Sequence, residues 1–245
     1  MGTGIDMVYV MSDIHGCYDR YIELLEKINF TESDTLYMLG DVIDRGEESA
    51  EILTDMSMRP NVIPVMGNHE YVAVPILKEL LVEITEENHA SHMTPEFLDY
   101  VSLWMGIGGD STLNSLRRLP HDELNEILDY LGEFRFYEVV NVKGQKYVLT
   151  HSGWPGGPKG TAFKETNRFD AFDFATAEAL YDAVYFKDAV LVTGHTPTFH
   201  IDKKCRGRIW YGKNHIAIDA GGILGGRFAC LCLDTGDEFY VDGER

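Results

Sequence analysis

Asp13 and His15 stand one residue apart, behind the apolar run Met7–Met11 and just ahead of Gly16. The same arrangement recurs along the chain. Gly40-Asp41-Val42-Ile43-Asp44-Arg45-Gly46 follows Thr35–Leu39, and Gly67-Asn68-His69-Glu70 follows Val62–Met66. His151 follows Gln145–Thr150, and Gly194-His195 follows Ala189–Thr193. A mixture of carboxylate, imidazole and amide suits first-row divalent metals such as Mn²⁺, Fe²⁺ or Zn²⁺, and excludes an all-cysteine site or a purely oxygen cage. Asp13, His15, Asp41, Asn68, His151 and His195 offer more donors than one ion with an open position needs. Two ions roughly 3.5–4 Å apart, sharing one bridging carboxylate, fit better. Two acids and an arginine in the single turn 40–46 suit a metal ion beside a phosphate.

For these side chains to meet, five strands must bring their carboxyl ends to one edge, where layered α/β folds gather their ligands. The apolar runs named above are read as those strands, with Pro64 weakening the third. Apolar spacing predicts helices over Cys17–Ile28 and Glu48–Met58, the second stopped by Arg59-Pro60. From Tyr71 to about Phe134 the pattern turns helical, with helices expected over Tyr71–Glu87, Pro95–Trp104, Ser111–Arg118 and Asp122–Gly132. This stretch reads as a helical insertion within a single domain spanning 1–245, because strands resume afterwards. Phe136–Val142 and Gln145–Thr150 form a hairpin across Lys143-Gly144. The turn-rich segment Trp154–Gly160 follows His151, and a helix is expected over Phe174–Phe186. Short strands and turns fill the remainder, including the apolar run Phe228–Leu233.

Forty Asp and Glu against 21 Lys and Arg give a formal charge of −19. That balance argues against binding a nucleic-acid polymer, because no basic surface is free to displace counterions. A phosphorylated substrate would need positive charge supplied locally, by bound metal or a few placed arginines. Cys17, Cys205, Cys230 and Cys232 contain no Cys-x-x-Cys pair, and Cys230 and Cys232 share one face of a strand, so core roles and a reducing compartment are expected. With neither a signal-peptide pattern nor a run long enough to span a bilayer, the expectation is a cytoplasmic protein with no membrane partner. His89, His92, His121, His200 and His215 lack strand-end contexts and read as surface or structural residues.

Taken together, Asp13-x-His15-Gly16, Gly40-Asp41-x-x-Asp44-Arg45-Gly46, Gly67-Asn68-His69-Glu70, His151 and Gly194-His195 resemble the phosphoprotein phosphatase branch of the calcineurin-like metallophosphoesterases. Within it the chain is similar to compact bacterial and phage-type serine/threonine protein phosphatases and to symmetrical diadenosine tetraphosphatases. Trp104–Leu113 looks like their tryptophan and Gly-Gly segment, with Ile107 where asparagine is common. Pro197 stands where more distant metallophosphoesterases carry a second histidine in Gly-His-x-His.

The resemblance implies an α/β fold, a central β-sandwich flanked by helices, and two divalent ions with manganese first. Asp13 and His15 would hold one ion, Asp41 would bridge, and Asn68, His151 and His195 would hold the other. A bridging water with a lowered pKa would supply hydroxide for in-line attack on phosphorus. Arg45 would grip phosphoryl oxygens in a bidentate manner, His69 would protonate the leaving group, and Asp44 would orient His69. The family's second phosphate-binding arginine has no counterpart in Leu180-Tyr181-Asp182-Ala183, which leaves Arg168 as the candidate. The expected activity is hydrolysis of phosphoserine or phosphothreonine in proteins, or of a small phosphate ester. The alternative is cleavage of dinucleoside tetraphosphates, with Trp154, Lys159 and Lys164 available to a nucleoside. A catalytically inactive binding module is the third reading, opposed by the intact ligand set.

Overall fold

The computed structural model of the chain describes residues 6–81, 94–166 and 168–243. β1 (Val8–Met11), β2 (Thr35–Leu39) and β3 (Val62–Val65) are parallel neighbours, formed where the apolar runs predict them. β9 (Arg227–Cys232) and β10 (Glu238–Asp242) extend this sheet antiparallel beyond β1, in the order β10-β9-β1-β2-β3. Pro64 is tolerated because β3 is an edge strand, where a missing N–H breaks no inner ladder. A second sheet has the order β4-β5-β6-β8-β7, with β4 (Tyr137–Val142), β5 (Gln145–Thr150), β6 (Ala189–Thr193), β7 (Trp210–Tyr211) and β8 (His215–Ala217). Lys143 and Gly144 both hold positive φ, the geometry of a two-residue turn matching strand twist, and they close the β4–β5 hairpin.

Side-chain alternation assigns each strand face to a layer. Val10, Leu39, Val65, Ala229 and Leu231 of the first sheet pack against Val142, Leu149 and Val192 of the second, forming the core of a sandwich. The opposite face of the first sheet, with Met11, Leu36, Met38, Cys230 and Cys232, packs on helices. These are α1 (Tyr18–Lys27), α2 (Ser49–Ser57), α3 (Asn68–Leu80), α4 (Pro95–Gly106), α5 (Gly109–Leu116) and α6 (His121–Gly132). Leu24, Leu53, Leu77, Trp104, Leu116 and Ile127 belong to that one cluster. The part of the expected helix beyond residue 81 lies outside the described residues, as do His89 and His92.

The outer face of the second sheet has an aromatic cover. Val148 and Leu191 lie under Trp154, Phe163, Phe174, Tyr185 and Phe186. Here the expected helix over Phe174–Phe186 is corrected, since only α7 (Ala171–Thr176) is helical. Ala177 turns extended, with ψ 118, and Tyr181 then stacks on His215 while Tyr185 and Phe186 drop into the aromatic cluster. A continuous helix could not seat all three rings. Cys205, Cys230 and Cys232 are free thiols, and Cys17, Cys230 and Cys232 are buried. Among the described residues, no helix is long and apolar enough to cross a membrane.

Candidate metal centre

The turns after β1, β2 and β6 hold their polar residues in an uncommon backbone conformation. Nine described non-glycine residues have positive φ, and six of them are Asp13, His15, Asp41, Asp44, Arg45 and His195. Side chains there cost of order 1–3 kcal/mol each, so the surroundings must enforce the conformation. Backbone hydrogen bonds do so by zipping two turns together: Asp13 N–H donates to Gly40 O, His15 N–H to Asp41 O, and Gly16 N–H to Val42 O at 2.7 Å. Gly16 and Gly46 meet back to back, and a Cβ on either would collide with the other's backbone.

Glu70 locks the second turn to the third. Its carboxylate accepts from Asp41 N and Gly67 N at 2.9 Å, Val42 N at 2.8 Å and Ile43 N at 3.2 Å, and the side chain is fully buried. Burial pushes this carboxyl up, with Asp41 adding to the shift, while the N–H donors favour the ionised form. The first turn of α3 also serves Asp41, whose Oδ1 accepts from His69 N at 3.1 Å. An anion at a helix N-terminus is favoured by exposed N–H groups and the helix dipole.

The other five residues expected as ligands gather around Asp41. Its carboxylate lies 3.7 Å from His15 Nε2, 3.8 Å from His69 Nε2 and 3.3 Å from His151 Nε2. Two sets of donor atoms, His15–Asp41–His69 and Asp41–His151–His195, each lie within 4.8 Å of one another and share Asp41. His15 Nδ1 pairs with Ile43 O and His151 Nδ1 with Leu39 O, which leaves each Nε2 turned toward Asp41. Such anchoring of the far ring nitrogen is how ligating histidines are held. His151 Nε2 also lies 3.0 Å from Asn68 Oδ1 and 3.2 Å from His195 Nδ1. Asp13 lines the same cavity, its carboxylate accepting from the His195 backbone N–H at 2.9 and 3.1 Å.

The cluster is built for positive charge. Burial raises the Asp41 carboxyl, but His151, His69 and His15 outweigh it and hold Asp41 well below the ordinary range. Burial opposes a charge on His151, yet the adjacent Asp41 carboxylate prevails and lifts the ring to about 10. His15 falls to about 3 through burial, with Arg45 adding to the fall against the pull of Asp41. Asp13, Asp41 and Asp219 are buried and line one cavity of about 240 Å³, whose only lysine or arginine among the described residues is Arg45. Burial and then Asp13 push Asp219 well up. Clustered carboxylates, and imidazoles whose inner nitrogens face one another across the cavity, fit a pair of divalent cations, which would relieve that repulsion.

Beside the cluster, His69 Nδ1 pairs with Asp44 Oδ2 at 2.7 Å, and Asp44 is fully buried. Trp104 Nε1 donates to Asp44 at 3.0 Å and Thr112 Oγ1 to Asp44 Oδ1 at 2.7 Å. Burial works against a proton on His69, but the Asp44 bond wins and raises the ring above its ordinary value. Arg45 reaches across, with NH1 2.9 Å from His15 Nε2 and NH2 3.1 Å from His69 Nε2.

Three residues, Arg168, Asp219 and His200, lie where the sequence reading did not place them. Arg168 is absent from the lining of this cavity and instead lines a different one with Lys159 and Lys164. Asp219, after the short strand β8, and His200 line the same cavity as the expected ligands, although neither was read as a candidate. His215 is structural, as read: it is buried, and its Nε2 lies 3.0 Å from Thr193 Oγ1. The roles of Glu70, Trp104 and Thr112 in fixing the turns were not visible as spacing, since each acts through a contact distant in sequence.

A sequence profile described as "Calcineurin-like phosphoesterase" matches residues 7–220. Two relatives are named "Bis(5'-nucleosyl)-tetraphosphatase, symmetrical". The one from Salmonella arizonae is 33% identical over 120 residues, 48% of this chain and 39% of the relative. That from Buchnera aphidicola is 32% identical over 133 residues, 54% of this chain and 45% of the relative. The matched stretches thus span less than half the length of those relatives. Among solved structures, one named as a candidate diadenosine tetraphosphatase superposes with a TM-score of 0.63 at 18% identity, covering 100% of this chain and 97% of that one. A protein serine/threonine phosphatase from Saccharomyces cerevisiae gives 0.55 at 15% identity, covering 99% and 81%.

Proposed function

The chain belongs to the calcineurin-like phosphoesterase family, and from that premise we propose that it cleaves dinucleoside tetraphosphates symmetrically, into two nucleoside diphosphates. Hydrolysis of phosphoric esters follows from the family; the substrate is the inference. One observation carries it. Asn68 lines both the metal cavity and an adjoining groove of about 680 Å³ walled by Tyr71, Phe97, Tyr100, Phe136 and Phe172. A phosphate chain held in the first would place a flat base beside aromatic rings in the second. The named tetraphosphatase relatives support the same reading over their matched stretches.

Asp13, His15, Asp41, Asn68, His151 and His195 would hold two divalent ions, for which the donor set suits manganese, iron or zinc. Bound there, such ions activate water and offset phosphoryl charge. Arg45 supplies a planar pair of donors to the phosphoryl oxygens, now directed at His15 and His69. His69, its Nδ1 committed to Asp44, would protonate the departing oxygen from Nε2 once the Arg45 guanidinium turns from that nitrogen to the phosphoryl group. Asp44 cannot turn away, because Trp104 and Thr112 fix both its oxygens.

The same groove favours a second reading, phosphoserine or phosphothreonine in proteins. Met66, Val72 and Pro75 complete a wall that suits an apolar side chain next to the phosphorylated residue. Side-by-side kcat/KM with Mn²⁺ for diadenosine tetraphosphate and for a phosphothreonine peptide decides between them. A preference for the peptide would overturn the first reading. We also read residues 1–245 as one domain with a helical insertion at about 71–134, supported by α3–α6 sharing the core of the first sheet. Cys205, Cys230 and Cys232 as free thiols accord with a cytoplasmic location.

A further inference from the structure

The loop after β5 builds a second cavity, of about 490 Å³, that shares no lining residue with the metal cavity. Lys159, Lys164 and Arg168 converge on it, and no carboxylate is among the described residues that line it. In a chain with 40 acidic and 21 basic residues, that is a local reversal of sign. The acids flanking the cavity's far side are engaged elsewhere, while Glu165 stays out of the lining. Asp170 and Asp173 cap α7 by accepting each other's backbone N–H at 3.0 Å. Asp188 accepts from Phe163 N and from Lys146 Nζ. Among the described residues, none forms an ion pair with Lys159, Lys164 or Arg168. Three like charges on one cavity repel unless an anion joins them.

The remaining walls are aromatic. Trp154, Tyr185 and Phe186 are buried members of the aromatic cluster, while Phe169 is half-buried and carries the Arg168 guanidinium 5.7 Å from its ring centroid. Gly156 holds φ 81 and lies against Phe169, where a Cβ would press on the ring edge; Gly157, with φ 70, has open space where its Cβ would stand. The loop therefore approaches the ring closely yet leaves the cavity unobstructed.

We propose that this cavity binds a nucleoside polyphosphate, with its phosphates on Lys159, Lys164 and Arg168 and its base against Phe169. The site is independent of the substrate reading above, since it shares no residue with the metal centre. Guanidinium and ammonium groups give charge-assisted hydrogen bonds to phosphate oxygens, and a π face accepts any base.

The test is calorimetric titration of the Mn²⁺-loaded protein with the α,β-methylene analogue of ADP and, separately, with inorganic pyrophosphate. The variants are Lys159→Gln/Lys164→Gln, both exposed positions, and Arg45→Ala. The Arg45→Ala protein, weakened only at the metal cavity, is expected to keep the loop site. In the double variant the nucleotide should bind ~10-fold more weakly or worse, while turnover of p-nitrophenyl phosphate stays at the wild-type level. Pyrophosphate should bind the same site more weakly than the nucleotide. Nucleotide affinity within about twofold of wild type in the double variant, or equal affinity for pyrophosphate and nucleotide, would overturn the proposal. A protein that cleaves peptides rather than dinucleotides would leave it untouched.

Discussion

Replacing Glu70 with glutamine changes one atom at the junction of two turns. In the native side chain Oε2 takes Asp41 N and Gly67 N, both at 2.9 Å, and Oε1 takes Val42 N and Ile43 N. Glutamine keeps one acceptor oxygen and turns an NH₂ group toward two backbone N–H donors. Two accepted bonds are lost, and two buried donors are left unpaired. Each such loss costs about 1–3 kcal/mol, giving about 2–6 kcal/mol in all. For a chain of this size 1 kcal/mol lowers Tm by roughly 2–4 °C, so a fall of about 4–24 °C is expected. Urea unfolding of both proteins, with and without Mn²⁺, measures it, and phosphatase turnover on the same samples reads the centre. Because Asp41 and Asn68 sit on the two released turns, turnover and metal affinity should fall together. A Glu70→Gln protein within about 1 kcal/mol of wild type, with unchanged metal affinity, would refute the view that this carboxylate assembles the site.

Three further outcomes follow from the geometry. His69→Asn should lower kcat on an unactivated alkyl phosphate by ~10²–10⁴, with metal content by elemental analysis unchanged; the loss should be smaller for diadenosine tetraphosphate, whose leaving phosphate is far less basic than an alkoxide. Chelation should abolish turnover, restored by Mn²⁺, and at ~100-fold metal excess over Kd each bound ion should add about 2.7 kcal/mol, or roughly 5–11 °C in Tm by calorimetry. His215, held down to about 4 by burial, stays neutral in the folded chain while the unfolded chain takes up a proton. Stability should therefore be lost as pH falls from about 6.5 through about 4, by an amount on the order of 3 kcal/mol, and the difference from His215→Phe in urea midpoints at pH 7 and pH 5 should expose it.

The strands and their polar ends were legible because an apolar run closing on Gly-Asp or Gly-His is a local pattern, and Thr35–Leu39 and Ala189–Thr193 lie where it places them. Convergence of Asp13, Asp41, His151 and His195 on one cluster could be inferred only by assuming a shared edge. Conformation at those positions was hidden, since nothing in an Asp or His announces positive φ. The helix over 174–186 failed because apolar spacing does not say whether aromatic rings face one side or must reach three neighbours. Arg168 was placed by elimination within a sequence interval, which carries no distance; its own loop takes it to the second cavity. Asp219 follows the short β8 after Ile218, too brief a run to register as a strand end.

The proposed ligand residues come from both halves of the sandwich: Asp13, His15, Asp41 and Asn68 from the first sheet, His151 and His195 from the second. Direct contacts already cross that seam at the centre, where His151 Nδ1 pairs with Leu39 O and His195 N–H with Asp13. A cation pair seated there would act as a clasp, joining positions 182 residues apart and shutting off the sliding of one sheet over the other. Closing so long a loop costs the open chain several kcal/mol of freedom. The clasp can engage only after both sheets have docked, so ion affinity becomes a gauge of the last step of assembly. A fragment carrying β1 to β3 alone would hold four of the six ligands and bind ions as loosely as any scatter of surface acids.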